Sequence, residues 1–170
     1  YIDLSKHFKL FNLFQIQMNR NKISDLITLA AISKKIGSNL NLVQGAGGNT
    51  SLKNDGILWV KASGCRLKDA ENRDIFVPVD HLEVVKRLMN DKNESLEFSI
   101  LQMDEAVGLR PSIETSLHAL MPHRYVVHVH SVNALGNAVL LDGEKKMTQL
   151  LSGVNWSWVS YVRPGIPLTR

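Results

Sequence analysis

The clearest chemical feature of the sequence is a pair of histidines, His128 and His130, separated by one residue. They end a segment rich in β-branched residues (125–130), which predicts a strand. Successive strand side chains point to opposite faces, so both imidazoles face one side and can converge on a metal ion. Histidines on a polar strand face contact solvent or carbonyls more often, so the pair alone is weak evidence. Because the chain has a single cysteine, such a site would use nitrogen and oxygen ligands, as catalytic Zn²⁺ sites do.

Glu114 lies upstream of the pair, in the first turn of a helix that Pro111 and Ser112 are predicted to open. His118 follows four residues later and therefore lies on the same helical face. A carboxylate and an imidazole that lead directly into the His128 segment favour a common site, in which His118 orients Glu114 or supports the site from behind. The alternative is a first-turn acid that only complements the helix dipole.

Three short polar segments could together bind an anion. The first is a glycine-rich bend, whose backbone N–H groups are unscreened by side chains. The second follows a predicted strand and supplies a cation, a hydroxyl and a glycine, and the third is a serine at a helix N-terminus, where the dipole favours anions. They form one site only if the fold brings them together; otherwise the bend is a tight turn before a hairpin. The candidate residues are Gly48, Asn49, Lys61, Ser63, Gly64 and Ser112.

The elements that must position these residues alternate between strands and helices, which predicts a sheet covered by helices on both faces. The tightest local signal is Asn54-Asp55-Gly56, which predicts a hairpin turn. The predicted strands are Ile57–Val60, Ile75–Val79, 125–130 and Trp156–Val162. The predicted helices run from Ser24 to Gly37, from Asp80 through Leu88, from Ser112 with Leu117, Leu120 and Met121 on the core face, and from Ser131 to Leu140.

Length and composition fit a single globular domain. A chain of 170 residues buries about two-thirds of its unfolded surface, and we assign residues 1–20 to an N-terminal extension and 21–170 to the domain. The net charge of +4 is scattered along the chain, which disfavours a nucleic-acid partner. No apolar stretch reaches the roughly 20 residues of a membrane span, which predicts no membrane partner. The single cysteine excludes an internal disulfide and is compatible with the reducing cytoplasm.

In their order along the chain, these segments resemble the class II aldolase/adducin family. The resemblance rests on Gly48-Asn49-Thr50-Ser51, Ser63-Gly64, Pro111-Ser112-Ile113-Glu114 with His118, and His128-Val129-His130. It extends roughly from Ile23 to Leu168. Segments 58–64 and 111–114 are most similar to aldolase domains that are fused to short-chain dehydrogenases.

The resemblance implies a three-layer α/β/α sandwich around a mixed, largely antiparallel β-sheet, and a homo-oligomer, by family resemblance a tetramer. It implies Zn²⁺ held by His128 and His130, with Glu114 as acid/base and as a ligand of the metal. The implied partner is a small sugar phosphate, whose phosphate is held by Asn49, Ser63, Gly64 and Ser112. We therefore expect reversible cleavage of a ketose 1-phosphate into dihydroxyacetone phosphate and an aldehyde, with Zn²⁺ as Lewis acid. Partial burial is expected to raise the pKa of Glu114 for this task.

Two departures from the family pattern bear on this expectation. Ile113 stands where many sugar-phosphate aldolases of the family have a second serine, so one phosphate donor is missing. A third metal histidine normally follows well downstream of the pair, so either the protein continues beyond Arg170 or the site is incomplete. Two alternatives stay open: epimerisation or dehydration of a sugar phosphate on the same scaffold, and a non-catalytic adducin-like interaction domain, which would not need Glu114 and the histidine pair.

Overall fold

The computed structural model describes residues 22–90 and 108–170, and the predicted N-terminal extension lies outside this part. The strands are β1 (Asn49–Asn54), β2 (Ile57–Lys61), β3 (Phe76–Asp80) and β4 (Tyr125–His128). The helices are α1 (22–37), α2 (His81–Asn90), α3 (Thr115–Leu120), α4 (Val132–Ala138), α5 (Gly143–Leu150) and α6 (Ile166–Thr169), and a 3₁₀ turn (Leu67–Asp69) follows β2. None of these helices has the length and apolar composition that crossing a bilayer requires.

β1 and β2 form a hairpin that turns through two residues, Asp55 and Gly56, as the sequence predicts. Both residues have positive φ, 50° and 77°, which a type I′ turn requires and which Asp and Gly tolerate. β3 pairs with β2, and β4 pairs with β1, so the strand order is β3-β2-β1-β4. Every strand pairing in the described residues is antiparallel.

Helices cover both faces of this sheet, each over its own apolar layer. On one face, β2 and β3 pack against α2, α3 and α6 through Leu58, Val60, Val77, Val79, Val84, Leu88, Ala119 and Ile166. On the other face, Leu52 of β1 and Trp59 of β2 pack against Leu29 of α1. Because strand side chains alternate between faces, one sheet separates two cores. The predicted three-layer α/β fold is confirmed.

α1 differs from the prediction at its start and agrees with it at its end. The chain is already helical at Lys22, so Ser24 lies inside the helix and is not its N-cap. The predicted end at Gly37 is confirmed. A Cβ at Gly37 would lie 2.6 Å from the Cβ of Leu67. Glycine at this position therefore allows α1 to pack closely on the 3₁₀ turn.

α3 begins at Thr115, after a turn, and not at Ser112. The Oγ of Ser112 accepts the backbone N–H of Glu114 at 3.0 Å, so Ser112 caps the turn that leads into the helix. The predicted core face of Leu117, Leu120 and Met121 is confirmed only for Leu120, which packs against the apolar core, whereas Leu117 is half-buried and Met121 is exposed. The fully buried residues of α3 are Thr115, Ser116, His118 and Ala119. The physical reason is that α3 packs partly on a polar stretch of β1, where Ser51 contacts His118.

The predicted strand Trp156–Val162 is wrong. This segment forms no strand in the structure, and Val159 and Tyr161 are exposed. Its β-branched and aromatic residues favour an extended chain, but a strand also needs a neighbour that pairs with its backbone. Within the described residues, no strand pairs with it.

Candidate active site

The histidine pair lies at the end of β4, against the glycine-rich bend. His128 is the last residue of β4, and its backbone is opposite Asn49 of β1. His130 lies just beyond the strand, where its backbone N–H donates to the carbonyl of Leu42 at 2.8 Å. The two ring centroids are 4.9 Å apart, with 64° between the ring planes. The structure therefore brings the two imidazoles together, as the one-residue spacing predicts.

Glu114 reaches the same point from the turn before α3. Its Oε1 lies 2.7 Å from Nδ1 of His128. This short contact brings the carboxylate and the imidazole directly together. One ligand atom each from Glu114, His128 and His130 lies within 4.8 Å of the others.

This donor set fits a transition-metal ion. The carboxylate oxygen and the two imidazole nitrogens converge on one point, as the ligands of a single cation do. Two nitrogens and one oxygen are also the ligand types found in catalytic Zn²⁺ sites. We refer below to Glu114, His128 and His130 as the metal cluster.

The electrostatics of Glu114 differ from the sequence-based expectation. Burial raises the pKa of the Glu114 carboxyl, but His128, Asn49 and His118 lower it. The net pKa lies below the ordinary value, so the expectation of a raised pKa is wrong. The neighbouring imidazole and amide favour the carboxylate more than burial disfavours it.

His118 supports the cluster from the sheet side. It is fully buried, and its Nδ1 lies 2.7 Å from Oγ of Ser51. Burial lowers the pKa of His118 to about 4, with Glu114 opposing and His128 and Lys53 adding to the shift. The ring is therefore neutral at pH 7. It ties α3 to β1, while its backbone N–H donates to the carbonyl of Glu114 at 3.0 Å.

The fold also brings the three anion-binding segments together. Nδ2 of Asn49 donates to Oγ of Ser112 at 2.8 Å. Ala62 and Pro111 form an isolated β-bridge, and the backbone N–H of Ser63 donates to the carbonyl of Arg110 at 2.9 Å. These contacts place the Ser63-Gly64 turn beside the segment that carries Ser112. Ser63 and Gly64 are exposed, whereas Asn49 and Ser112 are buried.

Lys61 is placed differently from the other anion-binding candidates. Its ammonium is buried and donates to the backbone carbonyls of Ala46 at 3.0 Å and Cys65 at 2.8 Å. Its predicted contact with substrate stays a prediction.

The role of Gly47 in the bend is apparent only from the structure. A Cβ on Gly47 would lie 2.9 Å from Nδ1 of His130. A Cβ on Gly48, which has a φ of 68°, would lie 3.0 Å from the carbonyl oxygen of His128. The bend is therefore the surface on which the histidine segment packs. The run of three glycines in four residues was the available signal, but it does not reveal which distant segment approaches.

Substituting Gly47 by alanine is expected to weaken metal binding by about 10–100-fold, because the new methyl displaces the ring of His130. Competition against a chromogenic zinc chelator measures this affinity. Gly136→Ala in α4 is the matched control, since a Cβ there meets open space. Equal zinc affinity in the two variants would show that the ring of His130 does not depend on the bend.

Comparison with known proteins identifies the family of this chain. The family model described as "Class II Aldolase and Adducin N-terminal domain" matches residues 27–169. The Bacillus subtilis (strain 168) protein named "Uncharacterized oxidoreductase YuxG" is 32% identical over 149 residues, which are 81% of this chain. The chain spans only 22% of that relative's length.

A solved structure also matches the fold. It is described as the "N-terminal Class II Aldolase domain of a conserved protein from Thermoplasma acidophilum". The two chains share 27% sequence identity with a TM-score of 0.69. The match covers 83% of this chain and 70% of the solved chain.

Proposed function

Because the chain belongs to the class II aldolase and adducin N-terminal domain family, we propose that it is a metal-dependent carbon–carbon lyase domain. The proposed reaction is reversible cleavage of a ketose 1-phosphate into dihydroxyacetone phosphate and an aldehyde. The observation that carries the proposal is the convergence of the metal cluster beside the Asn49–Ser112 contact. This reaction needs metal ligands, an acid/base carboxylate and donors for an anion within one site.

Glu114, His128 and His130 would hold the metal, for which we propose Zn²⁺. When bound, it supplies Lewis acidity toward the negative charge that develops on the substrate oxygens. The convergence of one carboxylate and two imidazoles supports this assignment, since these are the oxygen and nitrogen ligands that catalytic Zn²⁺ sites use.

Glu114 would move the proton at the carbon next to the substrate carbonyl. Its carboxylate is 20% exposed, so it is open to a substrate and still held by its surroundings. Two backbone contacts fix the residue: its N–H is bound by Ser112, and its carbonyl is bound by His118. A positioned carboxylate of this kind is suited to acid/base catalysis.

The phosphate would be held by Gly48 and Asn49 in the glycine bend, by the Ser63-Gly64 turn, and by Ser112. The exposed turn provides the Ser63 hydroxyl and the open backbone of Gly64, and the buried Asn49 and Ser112 provide side-chain groups. Neutral donors from several loops can surround a phosphate without trapping it through a permanent ion pair.

Substitution of Asn49 by aspartate is expected to raise KM for the phosphorylated substrate by about tenfold or more, because a carboxylate replaces a neutral donor beside the anion. Steady-state kinetics and titration with inorganic phosphate measure the effect. Asn39→Asp is the control, since it adds the same charge in an exposed turn. An unchanged KM in Asn49→Asp would show that the bend is a structural turn with no role in phosphate binding.

The name of the Bacillus subtilis relative raises a second possibility for the whole protein. That relative is called an oxidoreductase and is much longer than the part that this chain matches. We propose that a lyase domain of this type works beside a separate redox domain in such proteins. Incubation of the chain with substrate and no redox cofactor tests this proposal: release of dihydroxyacetone phosphate would show that cleavage does not need the redox domain. An epimeric sugar phosphate would instead support epimerisation.

A further inference from the structure

Lys61, the last residue of β2, carries its ammonium group into the protein interior. The residue is only 3% exposed, and burying a cation is costly unless its donors are satisfied. Nζ donates to the backbone carbonyls of Cys65 at 2.8 Å and Ala46 at 3.0 Å, and a third carbonyl, that of Ala62, lies at 3.5 Å. The partners that the described residues provide are therefore backbone oxygens.

These carbonyls belong to the two loops that carry most of the anion-binding candidates. Ala46 lies in the glycine bend, directly before Gly47. Ala62 and Cys65 flank the exposed Ser63-Gly64 turn. A single ammonium group therefore joins the middle of the bend to both ends of the turn.

The cation also acts on the site electrostatically. Burial lowers the pKa of Lys61, while Cys65 and Glu114 raise it. Since Glu114 belongs to the metal cluster, the positive charge of Lys61 lies within electrostatic reach of that cluster. A positive charge held beneath the two loops favours an anion at their surface.

We propose that Lys61 is a positioning residue that holds the glycine bend and the Ser63-Gly64 turn at the separation needed to bind one phosphate group. The proposal deepens the proposed function and rests on it. It replaces the direct substrate contact predicted from the sequence with contacts to the loops. The residue would then act through the backbone of both loops, and its removal would affect anion binding more than proton transfer.

The test compares Lys61→Met with Lys61→Arg and with Lys53→Met in the complete protein. Lys53 is the matched control, because its partly buried ammonium also donates to a backbone carbonyl, that of His118 on α3. Lys61→Met is expected to raise the Kd for inorganic phosphate and the KM of the substrate about tenfold, with kcat and zinc content near those of the wild type. Lys61→Arg, which keeps the charge and donors, should restore part of the phosphate affinity. Lys53→Met should leave it unchanged.

Amide hydrogen exchange separates this proposal from the proposed function. In Lys61→Met, exchange should become faster at residues 45–48 and 62–65, with or without phosphate, and Lys53→Met should not have this effect. Unchanged exchange in both loops, or equal acceleration in Lys53→Met, would overturn the proposal. If exchange is faster in Lys61→Met but the wild type binds no phosphate, Lys61 does link the two loops, and the proposed phosphate site is overturned. If Lys61→Met does not fold, Lys61→Gln, which lacks the charge, gives the same comparison.

Discussion

The Glu114→Gln variant is expected to lose about 10²–10⁴-fold in kcat for cleavage of a ketose 1-phosphate. Lewis acidity stabilises developing charge but does not move a proton at carbon, so this step depends on a positioned acid/base. Glutamine keeps the shape of the side chain and leaves the backbone contacts with Ser112 and His118 in place. Zinc content should stay near that of the wild type, because both histidines and an amide oxygen are still present.

Retro-aldol turnover, zinc content and melting temperature should be measured on the same preparations. Glu144→Gln in α5 is the control, since it makes the same chemical change at an exposed position. An adducin-like interaction domain would show no turnover in the wild type or the variant. If Glu114 had only a structural role, the Glu114→Gln substitution would lower the melting temperature and leave kcat unchanged. Full activity in Glu114→Gln would remove the residue from the mechanism.

The His128→Ala/His130→Ala double variant is expected to lose nearly all bound zinc and all measurable lyase activity. The change removes two of the three ligand atoms in the metal cluster, and a single carboxylate does not hold Zn²⁺ tightly. Elemental analysis after gel filtration measures the zinc content. The wild type should carry about one zinc ion per chain, as a single catalytic site would.

His123→Ala is the control for this experiment, because His123 is exposed in the connection between α3 and β4. It should keep both its zinc and its activity. Equal zinc content in the wild type and the double variant would contradict the assignment of the cluster as a metal site. Loss of activity with full zinc content would instead give the histidines a role in substrate binding.

The parts of the fold that follow from neighbouring residues were predictable. The hairpin turn depends on Asp55 and Gly56, whose positive φ is a local requirement. The start of α2 depends on Asp80, whose Oδ1 accepts the backbone N–H of Glu83 at 2.9 Å. The convergence of His128 and His130 was also predictable, because the strand period places both side chains on one side.

Features that depend on the packing partner were not predictable. The helical period of α3 cannot indicate that Ser116 and His118 face inward, because that choice follows from the polar residues of β1 opposite them. The contact between Asn49 and Ser112 joins segments that are far apart in sequence. The β-branched residues of 156–162 predicted a strand because composition does not show whether a pairing neighbour exists.

The order in which the strands pair has a consequence for how the site is assembled. The β1–β2 hairpin closes through two residues, and hairpins of this kind form within about 1–10 μs. β4 pairs with the other edge of β1, and β3, α2 and α3 lie between β2 and β4 in the sequence. Closing this long loop costs conformational entropy before the pairing can stabilise it. We therefore expect the strand that carries Asn49 to form before the strand that carries His128 joins it. We expect Asn49 and His128 to come together, and the metal cluster to assemble, only once β4 has paired with β1.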